Sequence, residues 1–174
     1  MLKRYLIPDR MVERYSDVTP ELLRDLGIRA LLIDIDNTLA PYEQPEPDDA
    51  LRVWLASLSR AGIRAALISN NDRARVERFN RTLGLVAHHK SGKPFGRVIR
   101  RVMRDFDVAP HEAAMLGDQL LTDALAGKRL GLFTLIVPPI RDKRTPFVRF
   151  KRWLERPYIR AYRQKHGEGE QGRD

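Results

Sequence analysis

A chain of 174 residues with a formal net charge of +9 and no cysteine suits one domain with a single buried core, and it excludes disulfide scaffolds, thiolate nucleophiles and Cys-ligated zinc. The segment from Met1 to Arg10 carries charge and lacks the apolar stretch and small-residue cleavage site of a signal peptide, and no run approaches about 18 apolar residues, so a cytosolic protein, soluble or peripheral on the inner membrane face, is expected. The charge is uneven: residues 141–165 hold ten Lys or Arg against Asp142 and Glu155, while the rest, with 22 basic and 21 acidic residues, is nearly neutral.

After a basic and aromatic lead-in, Thr19-Pro20-Glu21 reads as an N-cap followed by Pro at the first helical position, opening a short helix that stops near Gly27. A first strand is predicted over about Arg29 to Ile35, a near-continuous apolar run of the kind buried on both faces. The loop from Pro41 to Pro47 leads to a helix from Asp48 to Arg60, with Leu51, Trp54, Leu55 and Leu58 on one face. Strand two is Arg64 to Ile68. A helix then runs from Asp72 to about Leu83, a weak strand covers Gly84 to Ala87, and a helix spans Pro94 to Phe106. Strand four is Ala113 to Leu116, Leu120 to Leu130 is helical, and Gly131 to Val137 makes strand five. Strands alternating with helices over this length predict a mainly parallel five-stranded sheet covered on both faces.

Four predicted strand ends deliver polar residues: Asp34 with Asp36, then Ser69-Asn70, then Lys93-Pro94, then Gly117-Asp118-Gln119 with Asp123 five residues beyond Asp118. Each alone has an ordinary explanation, as a turn, a cap or a solvated lysine. Together they converge on the carboxyl edge of one sheet, where open α/β folds bind their ligands.

The order D-x-D-x-T, S-N, K-P, G-D-x-x-x-x-D resembles the haloacid-dehalogenase superfamily of phosphotransferases over about residues 28–140. Ser69-Asn70-Asn71, Lys93-Pro94 and Gly117 to Asp123 are more narrowly similar to its cap-less subclass IIIA of YqeG type, which is related to phosphatidylglycerophosphate phosphatases. The resemblance implies a three-layer Rossmann-like fold and a Mg²⁺-dependent phosphomonoesterase. Asp34 would be the nucleophile that forms an aspartyl-phosphate, and Asp36 the general acid and then base. Lys93, the Ser69 hydroxyl and the Asn70 backbone N–H would bind phosphate oxygens. The Asp34 and Asp118 carboxylates with the Asp36 carbonyl would hold Mg²⁺, and Thr38 and Asp123 would support this set from behind, Asp123 orienting Lys93 or a metal-bound water.

About ten residues separate Asp36 from the next helix and 24 separate Ser69 from Lys93, so neither gap holds a cap domain. The single domain then comprises a catalytic core over about 28–140 and a basic, aromatic extension over 141–174. In that extension Phe147, Phe150 and Leu154 share a helical face, while Trp153, Tyr158 and Tyr162 interleave with arginines. Three readings fit: a helix docked on the core, a helix lying on anionic lipid, or contact with RNA or the ribosome. The leading expectation is a phosphatase acting on a phospholipid head group, phosphatidylglycerophosphate, with the oligomeric state open. The alternatives are a soluble sugar-phosphate or nucleotide phosphatase and an RNA-associated factor of the same fold. His88 and His89, adjacent on a strand, stay outside the catalytic set, and Arg97, Arg101 and Arg104 form a stripe expected to be solvated.

Overall fold

The computed structural model describes residues 3–141 and 146–167, with side chains described within 4–141 and 153–164. Among these, six strands form one all-parallel sheet: β1 (Arg10–Met11), β2 (Ala30–Ile33), β3 (Arg64–Ile68), β4 (Val86–His88), β5 (Ala113–Gly117) and β6 (Phe133–Ile136), in the order β1-β6-β5-β2-β3-β4. Five are the strands expected from the sequence. The sixth, β1, corrects the expected count: it adds to the edge through Arg10↔Leu135 and Met11↔Ile136, and two residues are too short to show a period.

Among the described residues there are seven α-helices: α1 (Lys3–Leu6), α2 (Pro20–Asp25), α3 (Asp49–Arg60), α4 (Arg73–Asn80), α5 (Arg97–Asp105), α6 (Leu125–Leu130) and α7 (Pro146–Gly167). Side chains fix three of their starts, because the oxygens of Thr19, Asp48 and Asp72 accept from the backbone N–H groups of Leu22, Leu51 and Arg75 at 3.2, 2.8 and 2.8 Å. The sheet splits the core in two. Leu31 and Ile33 pack on one side with Leu51, Leu58 and Phe79, and Ala30 and Leu32 pack on the other with Ile99, Val102 and Met115.

Only a loop lies between Asp36 and α3, and only α4 and β4 lie between Ser69 and Lys93. The carboxyl edge of the sheet therefore carries no inserted cap. From β2 the chain steps to β3 and β4 on one side and returns to β5 and β6 on the other, which makes the β2/β5 boundary the topological switch point.

The C-terminal helix is docked on the core. Tyr158 and Ile159 pack against Leu120, Ala124 and Ile136, the Met11 N–H donates to the Tyr162 hydroxyl at 2.9 Å, and the buried Glu155 carboxylate accepts from the Leu121 N–H at 3.2 Å. Trp153 remains 61% exposed, and Arg156, Arg160 and Arg163 face solvent. Of the expected apolar face, Leu154 is half-buried, while the side chains of Phe147 and Phe150 lie outside the described residues, as do those of Lys151 and Arg152. No described helix is long and apolar enough to cross a membrane.

Candidate active site

Asp34 follows β2 directly, and its N–H donates to the Leu116 carbonyl of β5 at 2.9 Å, which extends the ladder into the switch-point crevice. Asn37 then adopts a left-handed conformation, φ +65°, which asparagine tolerates, and its N–H donates to Ala40 at 2.8 Å. This tight reversal returns Thr38 beneath the strand, where its hydroxyl donates to Asp34 Oδ2 at 3.4 Å.

Lys93 reaches the same place from the loop after β4. Its Nζ lies 2.7 Å from Asp34 Oδ1 and 2.7 Å from Asp123 Oδ1, with all three side chains buried. The expected helix at Pro94 begins three residues later, at Arg97. The reason is Asn70, whose carboxamide accepts from the Lys93 N–H at 2.9 Å and donates to the Lys93 carbonyl at 2.9 Å, so the lysine is held in a loop. Ser69 is buried, and its Oγ accepts from the Asn71 N–H at 3.0 Å.

Asp118 and Asp123 come from the end of β5 and the π-helical turn Leu120–Ala124. A Cβ on Gly117 would overlap the Asp123 side chain, so the glycine is what lets that carboxylate close on the strand. Asp123 Oδ2 accepts from the Gln119 N–H at 3.1 Å, which leaves Oδ1 aimed at Lys93. Carboxylate oxygens of Asp34, Asp118 and Asp123 lie within 4.8 Å of one another. Three buried carboxylates beside one lysine leave an excess of negative charge, and an all-oxygen donor set of this size fits a hard divalent cation. Burial, with Asp123 and Asp118 adding to it against the pull of Lys93, pushes the Asp34 carboxyl up to about 8. The two carboxylates beside Lys93 outweigh its own burial and raise it above its ordinary value.

Asp36 stands apart from this cluster. Its Oδ1 lies 3.0 Å from Arg75 Nε and its Oδ2 accepts from Asn71 Nδ2 at 2.9 Å. Arg75 does not stand out in the sequence, because the run Arg73-Ala74-Arg75-Val76-Glu77-Arg78 looks like a solvated helical face. Its signal was position, one turn into a helix that opens at a strand end already carrying site residues. His88, half-buried, sits among Arg101 and Asp105, and burial lowers its pKa; His89 is exposed. Arg97, Arg101 and Arg104 are exposed, with Arg101 3.8 Å from Asp105.

The family model of haloacid dehalogenase-like hydrolases matches residues 42–131, which include Ser69, Asn70, Lys93, Asp118 and Asp123 and begin just after Asp34 and Asp36. The chain is 33% identical over 165 residues to a Bacillus subtilis (strain 168) protein named "Probable phosphatase YqeG", covering 95% of this chain and 96% of that one. It is 27% identical over 181 residues to phosphatidylglycerophosphate phosphatase 1, chloroplastic/mitochondrial, of Arabidopsis thaliana, covering 94% of this chain and 50% of that protein. Among solved structures, the cobalt-bound deoxy-D-mannose-octulosonate 8-phosphate phosphatase of Haemophilus influenzae is similar at a TM-score of 0.51 and 16% identity, covering 79% of this chain and 90% of that one. That likeness concerns the fold.

Proposed function

The chain belongs to the haloacid dehalogenase-like hydrolase family, and from that membership we propose that it is a Mg²⁺-dependent phosphomonoesterase working through an aspartyl-phosphate. The observation that carries this reading is Lys93 Nζ, 2.7 Å from Asp34 Oδ1 and pinned by Asp123, with Asp118 beside them at the switch point. A phosphoryl group bound there meets a nucleophile and a fixed cation together.

Asp34, ionised, attacks phosphorus with Oδ1 or Oδ2, and the bond to the leaving oxygen breaks. Asp36 donates its proton to that oxygen. Asp36 then takes a proton from water as the water attacks the aspartyl-phosphate, which frees inorganic phosphate and regenerates the Asp34 carboxylate. Lys93 holds equatorial phosphate oxygens, and the Ser69 hydroxyl and Asn70 backbone N–H complete their binding. Mg²⁺, held by Asp34 and Asp118 with the Asp36 carbonyl, would offset the repulsion between a carboxylate and an anionic phosphate. Thr38 fixes the Asp34 rotamer through its hydrogen bond.

The substrate proposed is phosphatidylglycerophosphate at a membrane face. The Arabidopsis relative's name supports it, and so does an uncapped site, which suits a phosphate attached to something large. The exposed Trp153, Arg156 and Arg160 of α7 give the peripheral contact with anionic lipid its surface. Phosphate release from phosphatidylglycerophosphate in mixed micelles, compared with sugar phosphates and nucleotides, tests both levels. The lipid is expected to be cleaved fastest, with Mg²⁺ and not with EDTA. Faster turnover of a sugar phosphate or nucleotide would remove the lipid assignment, and no turnover of any phosphomonoester would remove the enzyme.

A further inference from the structure

Arg75 is the charged side chain next to Asp36 that the chemistry above leaves unused. Its Nε meets Asp36 Oδ1 at 3.0 Å, and its other two nitrogens donate to the backbone carbonyls of Gln44 at 2.6 Å and Pro41 at 3.5 Å. Its guanidinium carbon stands 5.0 Å from the centre of the Phe79 ring, and only 10% of the side chain is exposed. The residue is thus fixed from three directions between α4 and the loop after Asp36, and its one described ion pair is with Asp36.

We propose that Arg75 is a specificity-determining residue that selects phosphomonoesters whose leaving alcohol carries a second anionic group a few atoms beyond the scissile oxygen. The inference rests on the role given to Asp36 above. If Asp36 serves the leaving oxygen, its neighbour Arg75 lies on the leaving-group side of the site. When Asp36 turns its carboxyl oxygens toward that oxygen, the guanidinium loses its carboxylate. A nearly buried cation without an anion is costly, and the carbonyls of Gln44 and Pro41 replace the charge only in part. An anionic group on the leaving alcohol fills that place, and a planar guanidinium suits a phosphate or phosphodiester in particular. The substrate thereby supplies the exchange that frees Asp36, so the second anion is felt in the reaction as well as in binding. Phosphatidylglycerophosphate meets this requirement, since its leaving glycerol bears a phosphodiester; a neutral alcohol's phosphate does not.

The test compares kcat/KM for two soluble substrates, glycerol 3-phosphate, whose leaving group is neutral, and 1,3-propanediol bisphosphate, in wild type, Arg75→Lys and Arg75→Met. Wild type is expected to prefer the bisphosphate by about tenfold or more, a range usual for one charge pair in a partly buried site. Arg75→Met is expected to bring that ratio close to one, and Arg75→Lys to hold it in between. A residue that only positions Asp36 would lower both substrates alike and leave the ratio untouched, and that result overturns the proposal. So does a wild type without preference, which needs no variant and therefore decides the matter even if Arg75→Met folds poorly. Loss of the phosphatase reading is seen separately, as activity on either substrate that survives Asp34→Asn.

Discussion

Asp123 Oδ1 lies 2.7 Å from Lys93 Nζ, across 30 residues of chain, and both side chains are buried. The pair joins the loop after β4 to the turn after β5, so the lysine enters the crevice already aimed at Asp34. Replacing Asp123 by Asn keeps the shape and removes a buried carboxylate that pairs with Lys93. We expect Asp123→Asn to lower stability by about 1–3 kcal/mol, the usual consequence of weakening a buried ion pair, and to reduce kcat more than KM. Thermal or urea unfolding checks the first and steady-state kinetics the second. Unchanged stability and unchanged kcat would mean that Lys93 keeps its aim without Asp123.

The position of Asp34 gives metal binding a pH dependence with a definite sign. Its carboxyl is pushed up from 3.8 to about 8, so the folded, metal-free protein holds a proton there that the unfolded chain releases. The contribution of Asp34 to metal-free stability is therefore fully present at and below about pH 4, falls as pH rises from about 4 to about 8, and is flat above that. A cation must displace this proton, so apparent Mg²⁺ affinity should rise by up to about tenfold per pH unit between roughly 6 and 8 and then flatten. Calorimetric titration of Mg²⁺ at several pH values measures it. In Asp34→Asn the slope should vanish, and in Asp118→Ala the affinity should fall at every pH because one of two carboxylate ligands is gone. Unchanged Mg²⁺ dependence in Asp118→Ala would take that residue out of the coordination set.

The docked helix α7 predicts how the basic segment behaves. Glu155, Tyr158, Ile159 and Tyr162 hold the helix to the core, so the exposed Arg156 and Arg160 can be reversed to Glu without undocking it. Affinity for phosphatidylglycerol vesicles, read by co-sedimentation, should drop by about thirtyfold or more in that double variant and weaken with salt in wild type, as each base near an anionic surface contributes about 1 kcal/mol. Cleavage of a small soluble phosphoester should stay near normal. Equal sedimentation of wild type and variant would end the membrane assignment, and selective retention of wild type on RNA would replace it.

The course of β2 to β6 was legible because alternation of apolar runs with capped helices is a local signal, and Asp34, Lys93, Asp118 and Asp123 were legible because each follows a strand within a few residues. What stayed hidden depends on distant partners. Arg75 looks solvated until the loop at 41–44 is folded over it. Beside the backbone N–H that the sequence offers at Asn70, the structure adds a side chain that braces Lys93 across 23 residues. Glu155 counts as a minor acid in a basic tail, yet it is buried against the turn that follows Asp118. The two residues of β1 acquire their ladder only from β6.

The covalent role of Asp34 is the centre of this account, and a trapped phosphoenzyme tests it most directly. Asp36→Asn should still allow attack but should activate water poorly, so rapid acid quenching after mixing with a cleaved phosphomonoester should leave a phosphoryl group on the protein. Peptide mass spectrometry is expected to place it on Asp34, and the double variant Asp34→Asn/Asp36→Asn should carry none. A label on another residue, or Asp34→Asn turning over the same substrate at more than about a tenth of the wild-type rate, where loss of a nucleophile costs orders of magnitude, would contradict the mechanism.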